Sequence, residues 1–302
     1  MSLRWHKLGR LLRAEGQRSW MSSHTAAPIP LVLGDDVVRV YFGTRDRDNR
    51  PHVGFADFDV RRARQVAAVR PEPALAPGPA GHFDDNGVYP GPVHTRDGRL
   101  WMYYLGRSNG VAPLYYMAIG LAVSDDGGVT FRRARQAPVM SRSEHDPWMV
   151  STPFVLAEDG VWRMWYLSGL RWEVRCDPPR SYYHIKYAES ADGLEWRRDG
   201  LVCIDLTADE TNISSPTVLR DESGYRMWYC RYAGGYRIGY AESPDGRAWV
   251  RRDERAGIEL SETGWDSESM AYPAVFTCGG DTYMLYSGNG LGREGLGIAV
   301  AR

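Results

Sequence analysis

The chain has 302 residues, a formal net charge of −1 and 12% aromatic residues, with 18 tyrosines and 11 tryptophans against 7 phenylalanines. So even a balance of charge gives no general reason to expect nucleic acid as a partner, and no apolar window is long enough to span a membrane. Met1 to Trp20 carries Arg4, Lys7, Arg10, Arg13, Glu15 and Arg18 without the apolar stretch of an export signal. The cysteines, Cys176, Cys203, Cys230 and Cys278, lack paired metal-ligand spacing. The expectation is a cytoplasmic protein with reduced thiols, no metal and no cofactor.

In chain order, the same set of predicted strands returns five times. The first unit runs through Pro28 to Tyr41-Phe42-Gly43 and then Val53-Gly54-Phe55-Ala56-Asp57. The second passes Pro92, Tyr103-Tyr104-Leu105-Gly106 and Ile119 to Gly127, and the third Pro153, Trp165-Tyr166-Leu167-Ser168 and Ile185 to Gly193. Pro216, Trp228-Tyr229-Cys230 and Ile238 to Gly246 form the fourth, and Pro273, Leu285-Tyr286-Ser287-Gly288 and Leu296 to Val300 the fifth. Apolar and small or polar residues alternate in these stretches, as in strands with one packed face. The Asp-Gly pairs suit tight turns, and Ser124-x-Asp126-x-Gly128-x-Thr130-Phe131 fits a structural Asp-box turn. The prolines stand 64, 61, 63 and 57 residues apart, a period that fits one four-stranded sheet.

Sheets repeated at that period bury their faces only by packing around an axis. The expected fold is all-β: a five-bladed β-propeller of four-stranded blades in one domain, 1–302. The blades fall at about 20–75, 82–137, 144–202, 208–257 and 264–302. The last unit is short, so 1–19 is expected to complete the ring by lending a strand, Leu3 to Leu12.

A propeller gathers its site where the inner strands meet the axis. Seven residues before the prolines stand Asp85, Asp146, Asp209 and Asp266, with Met21 in the first unit, a repetition that suits architecture. Function breaks symmetry, and the residues that do so include His24, Asp84, Glu210, Asn212 and Glu268. After the aromatic pairs follow Arg45-Asp46, Arg107, Arg171, Arg231 and Asn289; arginines there could grip a carboxylate, phosphate or sugar hydroxyl. His24, Asp85, Glu210 and Glu268 are the candidate acid/base set. Arg45, Asp46, Arg107, Asp146, Asn212, Tyr272 and Asn289 are the candidate binding residues.

The recurrent Met-Trp-Tyr … Ile-x-Tyr-Ala-Glu-Ser-x-Asp-Gly-x-x-Trp pattern, from Met164 to Trp196 and Met227 to Trp249, resembles the five-bladed propellers of glycoside hydrolase families 32, 43, 68 and 130. Trp20 to Pro28, Tyr41 to Asp46 and Gly264 to Glu268 are similar to a group of such propellers that often accompany polysaccharide or secondary-metabolite biosynthesis genes. That resemblance covers essentially the whole chain and implies an acid one or two residues before the unit proline in three blades. Ala26-Ala27, Pro90-Gly91, Ser151-Thr152, Ser214-Ser215 and Ala271-Tyr272 occupy those places, so the implied triad is missing.

Three functions remain open. One is a glycoside hydrolase-like enzyme with a rearranged acid/base set, acting on a carbohydrate or sugar-derived, anionic small molecule. Another is a non-catalytic sugar-binding propeller whose tyrosines and tryptophans stack on the ligand. The third is a recruited biosynthetic enzyme that performs a cyclisation or an elimination.

Overall fold

The computed structural model describes residues 3–16, 18–62 and 69–302; 63–68 of the first expected blade lie outside the described residues. Its strands form five antiparallel sheets, called I to V here. Sheet I contains Ser23–Val32, Val37–Arg45 and Pro51–Asp59. Sheet II contains Val88–Tyr89 and Val93–Arg96, interrupted at Pro90-Gly91-Pro92, then Arg99–Asn109, Tyr115–Ser124 and Arg132–Arg133. Sheet III is built from Val150–Glu158, Val161–Glu173, Arg180–Ser190 and Val202–Ile204, and sheet IV from Asn212–Asp221, Gly224–Tyr232, Tyr236–Ser243 and Val250–Arg251. Sheet V consists of Ala271–Cys278, Asp281–Ser287 and Leu296–Ala301, with Trp5–Leu12 from the start of the chain hydrogen-bonded along Leu296–Ala301. A single parallel contact, Tyr183 with Asn212, links sheets III and IV.

The aromatic pairs explain how the sheets stack. Neighbouring residues on a strand point to opposite faces, so each pair packs against both adjoining sheets. Tyr41 lies in the apolar cluster between sheets I and II, and Phe42 in the one between V and I. Tyr103 and Tyr104, Trp165 and Tyr166, and Trp228 and Tyr229 divide in the same way among the remaining interfaces. Apolar contact between sheets V and I closes the ring of this β-propeller.

Most members of the pairs also have a polar anchor. The first one donates forward to the hairpin turn of the next sheet: Tyr41 to the Gly128 carbonyl at 2.8 Å, Tyr103 to Gly193 at 2.8 Å and Trp165 to Gly246 at 2.8 Å. Those turns are organised by Asp126, Asp192 and Asp245, each accepting backbone N–H groups and a serine hydroxyl. Hydrogen bonds from the Glu195 and Leu194 N–H groups hold the Asp192 carboxyl down at about 2.

In sheets II, III and V the second member donates to a buried carboxylate that also pairs with a basic residue at the outer edge of the sheet. Tyr104 and Arg133 share Asp84 at 2.8 and 2.7 Å, and Tyr166 and Arg198 share Asp146 at 3.1 and 2.9 Å. Tyr286 and Lys7 share Asp266 at 3.0 and 2.8 Å. In sheet IV, Tyr229 donates to Asp253, and Arg251 bridges Asp253 to Glu210, whose oxygens it meets at 2.8 Å each. Sheet I drops the whole set together: Met21 replaces the acid, Phe42 has no hydroxyl, and both lie in the core.

The repeating acids are therefore architectural: Asp146 and Asp266 bind side chains, and Asp85 closes a turn. Two stand one residue from the expected place. Asp84 and Glu210 take the role, while Asp85 accepts the Gly81 N–H at 2.9 Å and Asp209 accepts the Thr207 hydroxyl at 2.7 Å.

Two stability outcomes follow from these pairs. Lys7→Met leaves Asp266, 2% exposed, without its cation, and is expected to lower unfolding free energy by about 3 kcal/mol in urea titration; an unchanged midpoint would contradict the role of Trp5–Leu12. Burial raises the Glu210 pKa, but Arg251 outweighs it and, with the Thr207 N–H, pulls the carboxyl down to about 2 from 4.5. Glu210 is thus expected to stabilise the fold above pH 4.5, a contribution lost as pH falls toward about 2. Glu210→Gln should lower the melting temperature at neutral pH and flatten that acid limb.

Candidate functional site: an axial cavity

Each inner strand enters its sheet through a bulge at the unit proline. Strand register shifts there in sheets I, III, IV and V. The residue before the proline adopts a left-handed backbone in those four sheets: Ala27 (φ 49°), Thr152 (36°), Ser215 (52°) and Tyr272 (55°). Positive φ is costly for any side chain and most so for a β-branched or bulky one. In sheet II the place is taken by Gly91, where an added Cβ would lie 1.8 Å from the Tyr103 carbonyl oxygen. Bulges re-aim side chains, and here they turn the pre-proline residues toward a common cavity of about 270 Å³.

All five sheets contribute to its wall: Ala27-Pro28, Pro90-Gly91, Ser151-Thr152-Pro153, Ser214-Ser215-Pro216 and Tyr272-Pro273. Arg45, Tyr89, Arg107, Tyr115, Met117, Tyr183 and Tyr236 complete most of the remainder. The lining residues include two arginines and five tyrosines but no aspartate, glutamate or histidine.

Neither arginine has a carboxylate partner among the described residues. The Arg45 Nε donates to the Tyr89 hydroxyl at 3.2 Å and one Nη to Asn49 Oδ1 at 3.0 Å. Arg107 sits 5.3 Å from the centre of the Tyr115 ring, and its buried Nε has no hydrogen-bond partner. Burial pushes the Arg107 pKa down, and the neighbouring Arg45 charge acts in the same direction. The Tyr183 and Tyr236 hydroxyls face each other at 3.5 Å. Burial raises the pKa of Tyr183 and Tyr272 well above the ordinary value and that of Tyr236 to about 12, so all three remain protonated donors at neutral pH. Ser151 adds a buried hydroxyl without a partner.

Three of the residues singled out in the sequence line the cavity: Arg45, Arg107 and Tyr272. The acid/base candidates do not converge on it. Asp85 serves the Gly81 turn, and Glu210 is clamped by Arg251. Glu268 is exposed in a separate surface hollow with Arg10, Trp265 and Arg293. His24 is buried beside Ser23, its Nδ1 at 2.9 Å from the hydroxyl, outside the cavity lining. Burial, then the charges of Arg45 and Arg293, lower its pKa to about 4.

The other binding candidates also have local partners. Asp46 accepts from Arg50 and contacts His52, and Asp146 belongs to the Tyr166–Arg198 clamp. Asn212 donates to the Ser181 carbonyl at 3.0 Å, while Asn289 accepts the Glu268 and Ser269 N–H groups and donates to the Gly264 carbonyl. Met117, Tyr183 and Tyr236 are lining residues outside the sequence-based candidates, although each stands two residues before the isoleucine of its third strand, Ile119, Ile185 and Ile238. That common offset was the available signal.

No family model matches the chain. It is 39% identical over 298 residues to an uncharacterized protein of Mycobacterium tuberculosis found in two strains, with 98% of each chain covered. Solved structures extend the likeness to more distant propellers. A protein from work on family 130 mannoside phosphorylases and glycoside hydrolases that target β-1,2 mannosidic linkages in Candida mannan aligns with a TM-score of 0.74 at 14% identity, over 99% of this chain and 94% of that one. A thermostable family-43 glycoside hydrolase aligns at 0.65 and 16% identity, over 93% and 88% of the two chains. A glycosyl hydrolase from Bacteroides ovatus aligns at 0.71 and 13% identity, over 99% and 90%. The chain belongs to the family of the mycobacterial protein and carries the β-propeller fold seen in family 43 and family 130 glycoside hydrolase structures.

Proposed function

We infer that the axial cavity binds an anionic carbohydrate or sugar-derived small molecule, and that Arg45 and Arg107 hold its anionic group. One observation carries this reading: two arginines line a cavity that has no acidic residue in its wall. A cation taken out of water without a partner is costly, and a bound carboxylate or phosphate would supply charge-assisted hydrogen bonds to both guanidinium groups. The hydroxyls of Ser151, Thr152, Ser214 and Ser215, with those of Tyr183, Tyr236 and Tyr272, suit a ligand rich in hydroxyl groups. At about 270 Å³ the space is small beside the roughly 300–1,000 Å³ typical of larger ligands, which favours one sugar-sized ring.

Hydrolysis by two carboxylates across a glycosidic bond finds no support in this wall, since Asp85, Glu210 and Glu268 are held elsewhere. Recognition of the anion is therefore the function we favour, and it needs no rearranged acid/base set.

A thermal-shift panel of uronic acids, sugar phosphates and neutral sugars tests it. At about 100-fold excess over Kd, a bound anionic sugar should add about 2.7 kcal/mol of stability. Arg107→Met and Arg45→Met should each weaken its binding at least about tenfold. Equal shifts from neutral sugars, or full shifts in both variants, would overturn the reading.

His24 offers a separate pH test of the surrounding charge. Its lowered pKa of about 4 means that the unfolded chain takes up a proton before the folded one does. The His24 contribution to stability should fall as pH drops from 6.5 to about 4 and stay constant below that, and His24→Gln should reduce the slope over that interval in urea titrations.

A further inference from the structure

The apolar clusters between sheets have a companion of a different kind. Met149, Leu167 and Tyr183, with Tyr115, Met117 and Trp172 packed against them, form a small cluster at one side of the axial cavity. Leu167, Tyr183, Tyr115 and Met117 belong to the cavity wall itself. Tyr115 and Trp172 meet edge to face with ring centres 4.9 Å apart. That contact ties the hairpin joining Arg99–Asn109 to Tyr115–Ser124 onto the one joining Val161–Glu173 to Arg180–Ser190.

Beyond the contact, the tip of the first hairpin is apolar and open to solvent. Val111 is fully exposed and Leu114 48% exposed. The segment Gly110-Val111-Ala112-Pro113-Leu114 has no charged or hydrogen-bonding side chain at all. A single exposed apolar residue needs no explanation. Tyr115 and Met117 in the cavity wall, Trp172 packed on Tyr115 and the apolar tip that ends one residue before Tyr115 together offer apolar contact to a ligand. Arg107 lies against the Tyr115 ring, so the cationic end of the cavity and this apolar wall meet at one side chain.

We propose that the ligand is amphipathic: its anionic group rests on Arg45 and Arg107, and an apolar or aromatic substituent leaves the cavity over Tyr115, Met117 and Trp172 toward Leu114. This inference rests on the anion-binding reading given above. The apolar part belongs to the same molecule as the anion, because Tyr115 and Met117 line the same cavity as Arg45 and Arg107.

Isothermal titration of the full chain with two matched pairs tests the proposal: inorganic phosphate against 4-nitrophenyl phosphate, and glucuronic acid against 4-nitrophenyl β-glucuronide. The aryl member of each pair is expected to bind about tenfold more tightly, the effect of covering roughly 60 Å² of apolar surface. Trp172→Ala should reduce that ratio, and so should Leu114→Ser, whose site is exposed enough to leave the fold intact. Anion binding with no aryl preference would overturn this inference alone. No binding by any of the four would overturn the anion reading along with it. A dimer in sedimentation velocity that Leu114→Ser dissolves would also overturn the inference, by assigning the tip to a second copy of the chain.

Discussion

Sheets II, III and V are each pinned by a buried carboxylate shared between a tyrosine on the second strand and a cation at the outer edge, and sheet IV by the linked pair Glu210 and Asp253. The arrangement is severe in its demands. A carboxylate without water is stable only when its charge and lone pairs are met, so acid, hydroxyl and base must be present together or absent together. Asp84, Asp146 and Asp266 show the first case, the linked Glu210 and Asp253 a variant of it, and Met21 with Phe42 the second. Lys7 supplies the cation for sheet V from the opposite end of the chain, which makes the first strand part of the last sheet electrostatically as well as by its backbone ladder.

This constraint reaches the axis. The carboxylates sit just ahead of the inner strands, whose bulges carry Ala27, Thr152, Ser215 and Tyr272 in left-handed conformations. With the strand entries held in this way, the strained residues face one cavity. The acids that hold them are spent on structure, so the cavity wall is left with arginine, tyrosine, serine and threonine. Its charge is consequently uncompensated and positive, while its walls are apolar on one side. The wall thus lacks the paired carboxylates that two-carboxylate hydrolysis of a glycosidic bond requires.

Much of the architecture was legible in the sequence because it rests on short, repeated signals. Alternation with period two, the aromatic pairs and the Ser-x-Asp turns each have a direct geometric counterpart. The site was legible only where an offset from the proline or from the aromatic pair was constant, as for Tyr272, Arg45 and Arg107. Offsets that slide by one residue defeated the comparison, since one residue along an extended chain reverses the face that a side chain presents. Asp85 and Asp209 share the repeat position, yet Asp84 and Glu210 point into the clamps. Glu210 broke the symmetry of the repeat for a structural reason, with Arg251 as its cause. Tyr183, Tyr236 and Met117 were hidden by their place at the entry of the third strands, which no inner-strand alignment includes.

The most direct measurement of the central claim is anomalous diffraction from crystals soaked in tungstate, an oxyanion with strong anomalous signal. A peak in the axial cavity within hydrogen-bonding reach of both Arg45 and Arg107, lost in Arg107→Met crystals, is the predicted result. An empty axial cavity at saturating tungstate, with anions bound only on the outer surface, would contradict it.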